Sequence, residues 1–177
     1  MLLWRDPRLA GALLALLSVL SLSCKEQEGP RSEAHMGDPA VAGPLTYTVI
    51  EARWRSQLQA FPTARFPERT FLLIKLSVTN SGGSEVSIPF LKLETSKGET
   101  FTEVENGAGV DGWLGVLRRV GPAQTEEGWI LFDVPTNSYK LRLTDGNVER
   151  EHLAYVSIPL SMETESNPST GADPLKR

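Results

Sequence analysis

An all-β antiparallel sandwich of about seven to eight strands is predicted by three features of this 177-residue sequence. The first is Thr70–Gly83, TFLLIKLSVTNSGG, in which Leu72, Ile74, Leu76 and Val78 alternate with Leu73, Lys75, Ser77 and Thr79. That period of two belongs to a strand with one buried and one wetted face. It places Ile74 and Leu76 in a core and Lys75 and Thr79 toward water. The second is the recurrence of similar short apolar runs between Leu45 and Leu160, divided by Gly, Pro, Asn and Asp, the residues that turns require. The third is the lack of any long helical period in that interval. With no helix to cover a sheet, a second sheet must do so.

The elements follow in order. Leu45–Trp54 (LTYTVIEARW) is rich in Thr, Tyr, Val and Ile, and forms the first strand. Arg55–Arg69 is a long connection whose Phe61-Pro62 and Phe66-Pro67 pairs keep it out of a central ladder. Thr70–Thr79 is the central strand, closed by the Asn80–Ser84 turn. Glu85–Glu94 carries Val86, Ile88 and Phe90, with Pro89 marking an edge or a bend. A Lys97-Gly98 turn leads to a short strand near Thr100–Val104, and Glu105–Gly112 is a Gly-rich loop. Trp113–Val120 fits either a strand or one or two helical turns before Gly121-Pro122. Gly128–Val134 (GWILFDV) turns Ile130, Phe132 and Val134 to one face and Trp129 to the other, and Pro135 ends it. Ser138–Thr144 aligns Tyr139, Leu141 and Leu143, stops at Asp145-Gly146, and Leu153–Leu160 closes the domain.

The flanks have a different character. Arg5 and Arg8 precede the uncharged run Leu9–Leu22 (LAGALLALLSVLSL), then Ser23 and Cys24. The run is shorter than the roughly 20 residues a bilayer span needs, and it has the length of a secretory h-region. It resembles the bacterial lipoprotein signal, a leucine-rich helix whose lipobox is closed by cysteine. That resemblance implies diacylglyceryl attachment at Cys24, cleavage before it, and membrane association through the lipid. Residues 1–23 are therefore expected to be a signal helix and 24–44 a disordered tether, polar and rich in Gly and Pro. By the same reasoning 45–160 is the sandwich and 161–177 a disordered tail.

Within the domain, Leu72–Ser81 (LLIKLSVTNS) resembles the hydrophobic strand and "TN" turn of bacterial extracellular immunoglobulin-like domains. Lys97-Gly98 resembles their short turn, and Gly121-Pro122 followed by Glu127–Pro135 (EGWILFDVP) resembles their "PG…G…FDVP" segment. The order of Gly121-Pro122 is reversed relative to that pattern. The family includes lipoproteins and the mycobacterial immunoprotective secreted antigen. The resemblance implies an immunoglobulin-like, telokin-like sandwich and brings no catalytic residues with it.

Composition narrows the chemistry further. A net charge of −4 leaves no basic footprint for nucleic acid. The single cysteine permits no internal disulfide. His35 and His152 are the only histidines, and no Gly-x-Ser-x-Gly elbow occurs, so no enzyme activity and no cofactor are expected. Glu103, Glu105 and Asp111 flank the Gly-rich loop and are weak calcium candidates, since oxygen ligands on a loop suit that ion but their spacing fits no known template. The aromatic residues give the stronger lead. Trp54, Phe61, Arg65, Phe66 and Trp129, with Arg53, Arg55 and Arg69 nearby, have the composition of a recognition surface, and the Arg53–Arg69 segment is where it is expected. The expected function is a lipid-anchored envelope module contacting a protein or glycan. The alternatives are a structural or antigenic surface domain, or a calcium-binding envelope protein.

Overall fold

A computed structural model describes residues 33–160; the expected signal helix, Cys24 and the tail lie outside the described residues. The strands are β1 (Glu33–Ala34), β2 (Pro39–Ala42), β3 (Leu45–Arg55), β4 (Phe71–Asn80), β5 (Val86–Ile88) and β6 (Lys92–Glu94). They continue with β7 (Thr100–Thr102), β8 (Arg118–Val120), β9 (Thr125–Asp133), β10 (Tyr139–Thr144) and β11 (Leu153–Ile158). One sheet has the order β1-β11-β10-β6-β7 and the other β2-β3-β4-β9, while β5 and β8 pair separately. All pairs are antiparallel except β1 with β11. The chain is thus an all-β sandwich.

The central strand has the expected register. Leu72, Ile74, Leu76 and Val78 are fully buried, with Ile130, Phe132 and Val134 from the β9 side and Leu93, Leu141, Leu143 and Val156 from the facing sheet. Lys75 lies on the outer face and pairs with Glu127 at 2.6 Å, and the Thr79 hydroxyl meets that of Thr125 at 2.8 Å. Leu73 departs from expectation. It is buried on the outer face with Leu58, Phe71, Val110 and Leu131, because two long connections cover that half of the sheet.

One sequence expectation is corrected and two are made definite. Residues 33–44, which composition assigned to the tether, form β1 and β2, so the sandwich begins before Leu45. Gly37 and Gly43 take positive φ there and serve as turn residues, while Ala40 and Ala42 pack inward. Glu85–Glu94 is divided into β5 and β6 around Pro89, which has no amide hydrogen to donate. Of Trp113–Val120, only Arg118–Val120 is strand.

Candidate binding groove

The outer face of β3, β4 and β9 is built from aligned rows. Arg55 stands beside Phe71 and Asp133, Arg53 beside Leu73 and Leu131, and Glu51 beside Lys75 and Trp129. A bulge between Val49 and Glu51 sets this phase. Up to Val49 the odd-numbered residues face the core; beyond the bulge Ala52 and Trp54 do.

Two connections form the second layer on this face. In residues 56–69, Leu58 and Arg65 exchange backbone hydrogen bonds of 2.9 and 2.8 Å. The Asp133 carboxylate accepts the Glu68 and Arg69 amides at 2.7 and 2.9 Å, which fastens the end of that connection to β9. In residues 105–117, the Trp113 ring lies directly over Gly107, where an added Cβ would come within 2.0 Å of it. Gly112 and Leu114 bracket Trp129, whose amide donates to the Gly112 carbonyl at 2.9 Å and whose carbonyl accepts the Leu114 amide at 3.0 Å. Gly128 leaves the space for this crossing, since a Cβ there would meet the Gly112 carbonyl at 2.5 Å. Gly109, at φ +85°, closely approaches the Gln59 backbone, so the two connections meet.

Between them and the sheet lies a groove of about 680 Å³. Arg53, Arg55, Gln57, Gln59, Asp111 and Trp129 supply its polar and aromatic lining, and Leu58, Leu73 and Val110 its apolar lining. The Arg53 guanidinium lies 4.9 Å from the Trp129 ring centroid, within cation–π range. It also forms a two-point pair with Glu51. Arg55 is exposed, and its recorded bond is to the neighbouring Trp54 carbonyl at 3.1 Å.

Of the sequence candidates, Trp54 and Trp129 border this groove. Trp129 is on the outer face, as its phase predicted. Trp54 contributes differently, because its ring turns inward to within 6.4 Å of Tyr139 on the facing sheet. Phe61 and Phe66 are exposed and lie outside the groove lining. Arg65 also lies outside it and is structural, donating to the Asn106 carbonyl at 2.5 Å and covering the Phe71 ring. The sequence reading missed Val110 and did not single out Gln57 and Gln59 within the Arg53–Arg69 segment; the three become neighbours only when the two connections fold over the sheet.

The acidic candidates do not come together. Glu103 is buried against Arg118, and its oxygens also receive the Leu91 amide at 2.6 Å. Glu105 and Asp111 are exposed. Among the described residues no set of three His, Cys, Asp or Glu side chains is grouped for a metal.

His152 pairs with Asp145, Nδ1 to Oδ2 being 2.7 Å. Burial works to raise the Asp145 carboxyl, but the His152 ring and the His152 and Asn147 amides outweigh it, so the group titrates below its ordinary range. A depressed acid contributes stability above its unfolded pKa and loses it as pH falls through the folded value. Folding stability should therefore fall below about pH 4, the ordinary range of an aspartate. Asp145→Asn should flatten that part of the curve. Urea midpoints across acidic pH check this, and an unchanged slope in the variant would contradict it.

Two facing sheets, antiparallel but for the β1–β11 pair, with long connections layered over one of them define the class, an all-β sandwich domain. The chain belongs to the DUF4352 family, a domain of unknown function, which matches residues 34–148. That match starts within β1, in agreement with the early start of the sandwich. No curated protein matches the chain in sequence. Several solved structures share the fold at low identity. The yjhA protein from Bacillus subtilis superposes with a TM-score of 0.54 at 16% identity, covering 71% of this chain and 98% of that one. MPT63, a secreted protein from Mycobacterium tuberculosis, gives 0.52 at 16% identity, covering 73% and 99%. The ycdA protein from Bacillus subtilis, assigned as a lipoprotein, gives 0.53 at 10% identity; the match covers 70% of this chain and 39% of ycdA.

Proposed function

We propose that this chain is a lipid-anchored binding module of the bacterial cell envelope, an immunoglobulin-like sandwich without catalytic activity that holds an envelope protein or glycan in the groove above β3, β4 and β9. The observation that carries the binding role is the groove itself. Two connections are fastened over one half of a sheet by Asp133, Gly107 and Gly128, and they leave a lined space of about 680 Å³ where a plain structural sandwich would present a flat face. The anchor is supported by the sole cysteine, Cys24, at the end of the leucine run. A polar segment between Cys24 and β1 gives the domain reach from the membrane. Two or more acyl chains would make the attachment stable where one is marginal. The secreted and lipoprotein assignments of MPT63 and ycdA agree with this location.

Two measurements test the proposal. Cells fed labelled palmitate should label the wild-type chain in the membrane fraction, and Cys24→Ala should abolish both label and membrane association. A photo-crosslinking residue at Gln57 should capture an envelope protein or glycan, while one at Val148, exposed and outside the groove lining, should not. A membrane-bound, unlabelled Cys24→Ala chain would defeat the anchor. Equal capture from both positions would defeat the groove.

A further inference from the structure

The outward edge of β3 is only partly used. β2 covers it from Leu45 to Thr48, and the Gly37 amide donates to the Val49 carbonyl at 2.9 Å. From Glu51 to Arg55, β3 pairs with β4 on its other side, and no described residue forms a ladder with the outward edge. Val49 faces the core and turns its carbonyl to this edge. Residues on one face of an antiparallel strand send their amide and carbonyl to one side. Beyond the bulge the core-facing residues are Ala52 and Trp54, so their backbone groups lie at the open edge. The Trp54 carbonyl is consistent with that placement, since it accepts a bond from the Arg55 side chain. A charged side chain lying across an exposed strand blunts it against unwanted pairing. Here the cover is exchangeable, because Arg55 is exposed and has no ion pair among the described residues.

The charges beside this edge are two arginines and two carboxylates, but Arg55 is the charged residue of the Glu51–Arg55 edge that has no ion pair among the described residues. Arg53 and Arg55 line the groove, while Asp111 is the only acidic residue lining it, and Glu51 answers Arg53 alone. Strand addition to an open edge gains affinity from main-chain bonds and specificity from the sites that alternate side chains enter. The groove provides such sites next to the edge.

We propose that the Glu51–Arg55 edge of β3 accepts an added strand from an extended acidic polypeptide, whose backbone pairs with Ala52 and Trp54 and whose carboxylates meet Arg53 and Arg55. This rests on the binding-module reading and specifies its partner as protein and not glycan. The test uses the full chain in detergent and a fluorescent synthetic peptide of alternating Glu and Val, followed by anisotropy. It should bind at least about tenfold tighter than a Lys and Val counterpart, and Arg53→Glu with Arg55→Glu should reverse that order. Backbone N-methylation of the peptide in one alternating phase should abolish binding, and methylation in the other should spare it. Ala52→Pro should remove binding while leaving the thermal melt near that of the wild type, because this amide lies outside the β4 ladder.

Equal affinity for both peptides, or equal tolerance of both methylation phases, would overturn the proposal. So would a dimer lost on Ala52→Pro, which would give the edge to a second copy. Tighter peptide binding after removal of residues 161–177 would give it instead to the chain's own acidic stretch around Glu163 and Glu165. If cross-linking from Gln57 succeeds while the acidic peptide fails, the strand-addition inference falls and the binding-module reading stands.

Discussion

Arg118→Met is expected to lower folding stability by about 3–5 kcal/mol, the cost of stranding a buried charge. Glu103 and Arg118 are both 5% exposed. Their carboxylate and guanidinium meet at two points, with Nη1 donating to Oε1 at 2.9 Å. The Arg118 Nε donates to the Gly115 carbonyl at 2.7 Å, and the guanidinium lies 5.2 Å from the Phe90 ring centroid. The pair therefore holds β8, the end of the 105–117 connection and the segment before β6 in one cluster. Burial pushes the Glu103 carboxyl up, opposed by Arg118 and the Leu91 amide. Without Arg118 the upward push is unopposed by any cation. An acid with a raised folded pKa loses stability as pH rises from its unfolded value, so the deficit of the variant should shrink as pH falls toward about 4. The double replacement Glu103→Leu with Arg118→Met should cost less than the sum of the single changes, because it leaves no buried charge behind. Urea unfolding of the four proteins in that cycle checks this. Additive costs would mean the two residues act independently.

Asn80→Ala is expected to cost about 3 kcal/mol, since it strips partners from one buried and two partly buried backbone groups, the buried one alone worth ~1–3 kcal/mol. Asn80 ends β4 and is fully buried. Its side-chain amide donates to the Ser84 and Val120 carbonyls, each at 2.8 Å, and its side-chain oxygen accepts the Gly82 amide at 2.8 Å. Its own carbonyl accepts the Ala123 amide and its amide donates to the Gln124 carbonyl. One residue thus closes the 80–84 turn and joins it to the end of β8 and the turn before β9. Thermal and urea unfolding measure the loss. A cost near that of an exposed surface substitution, about 0.5 kcal/mol or less, would mean that water replaces these bonds freely.

The parts of this fold that were legible in sequence are those that local periodicity controls. The alternation of Leu72, Ile74, Leu76 and Val78 fixed the face of β4, and that of Ile130, Phe132 and Val134 fixed β9 and placed Trp129 outside. What escaped had nonlocal causes. Leu73 occupies a wet-face position, and only the later docking of Leu58 and Val110 buries it. Glu103 stands among exposed acids in a Gly-rich stretch, and nothing near it in sequence announces Arg118. The turn glycines around β2 have the same composition as a tether, so β2 was hidden by the residues that allow it to form.

The candidate site shows the same division. Tyr47 and Val49 set a phase that would carry Trp54 outward, but the bulge at Ile50 reverses it and leaves the arginines on the surface in its place. The arginine-rich segment next to the groove was recognisable from composition, whereas the choice of Arg53 and Arg55 over Phe61 and Phe66 required that one extra residue.

The covering of β4 on both faces at its start has a consequence for motion. Phe71 and Leu73 are sealed by residues 56–69 and 105–117, while Leu72 and Ile74 are sealed by the facing sheet. The outer cover rests on the smaller of the two apolar clusters, so it is a unit that can open while the sandwich stays shut. Opening it would bare Phe71, Leu73 and Leu131 and dissolve one wall of the groove. Occupancy of the groove and protection of the β4 amides from solvent exchange are therefore thermodynamically linked: a ligand that clamps the cover would be registered along β4 beyond Leu73, the residue of that strand that lines the groove.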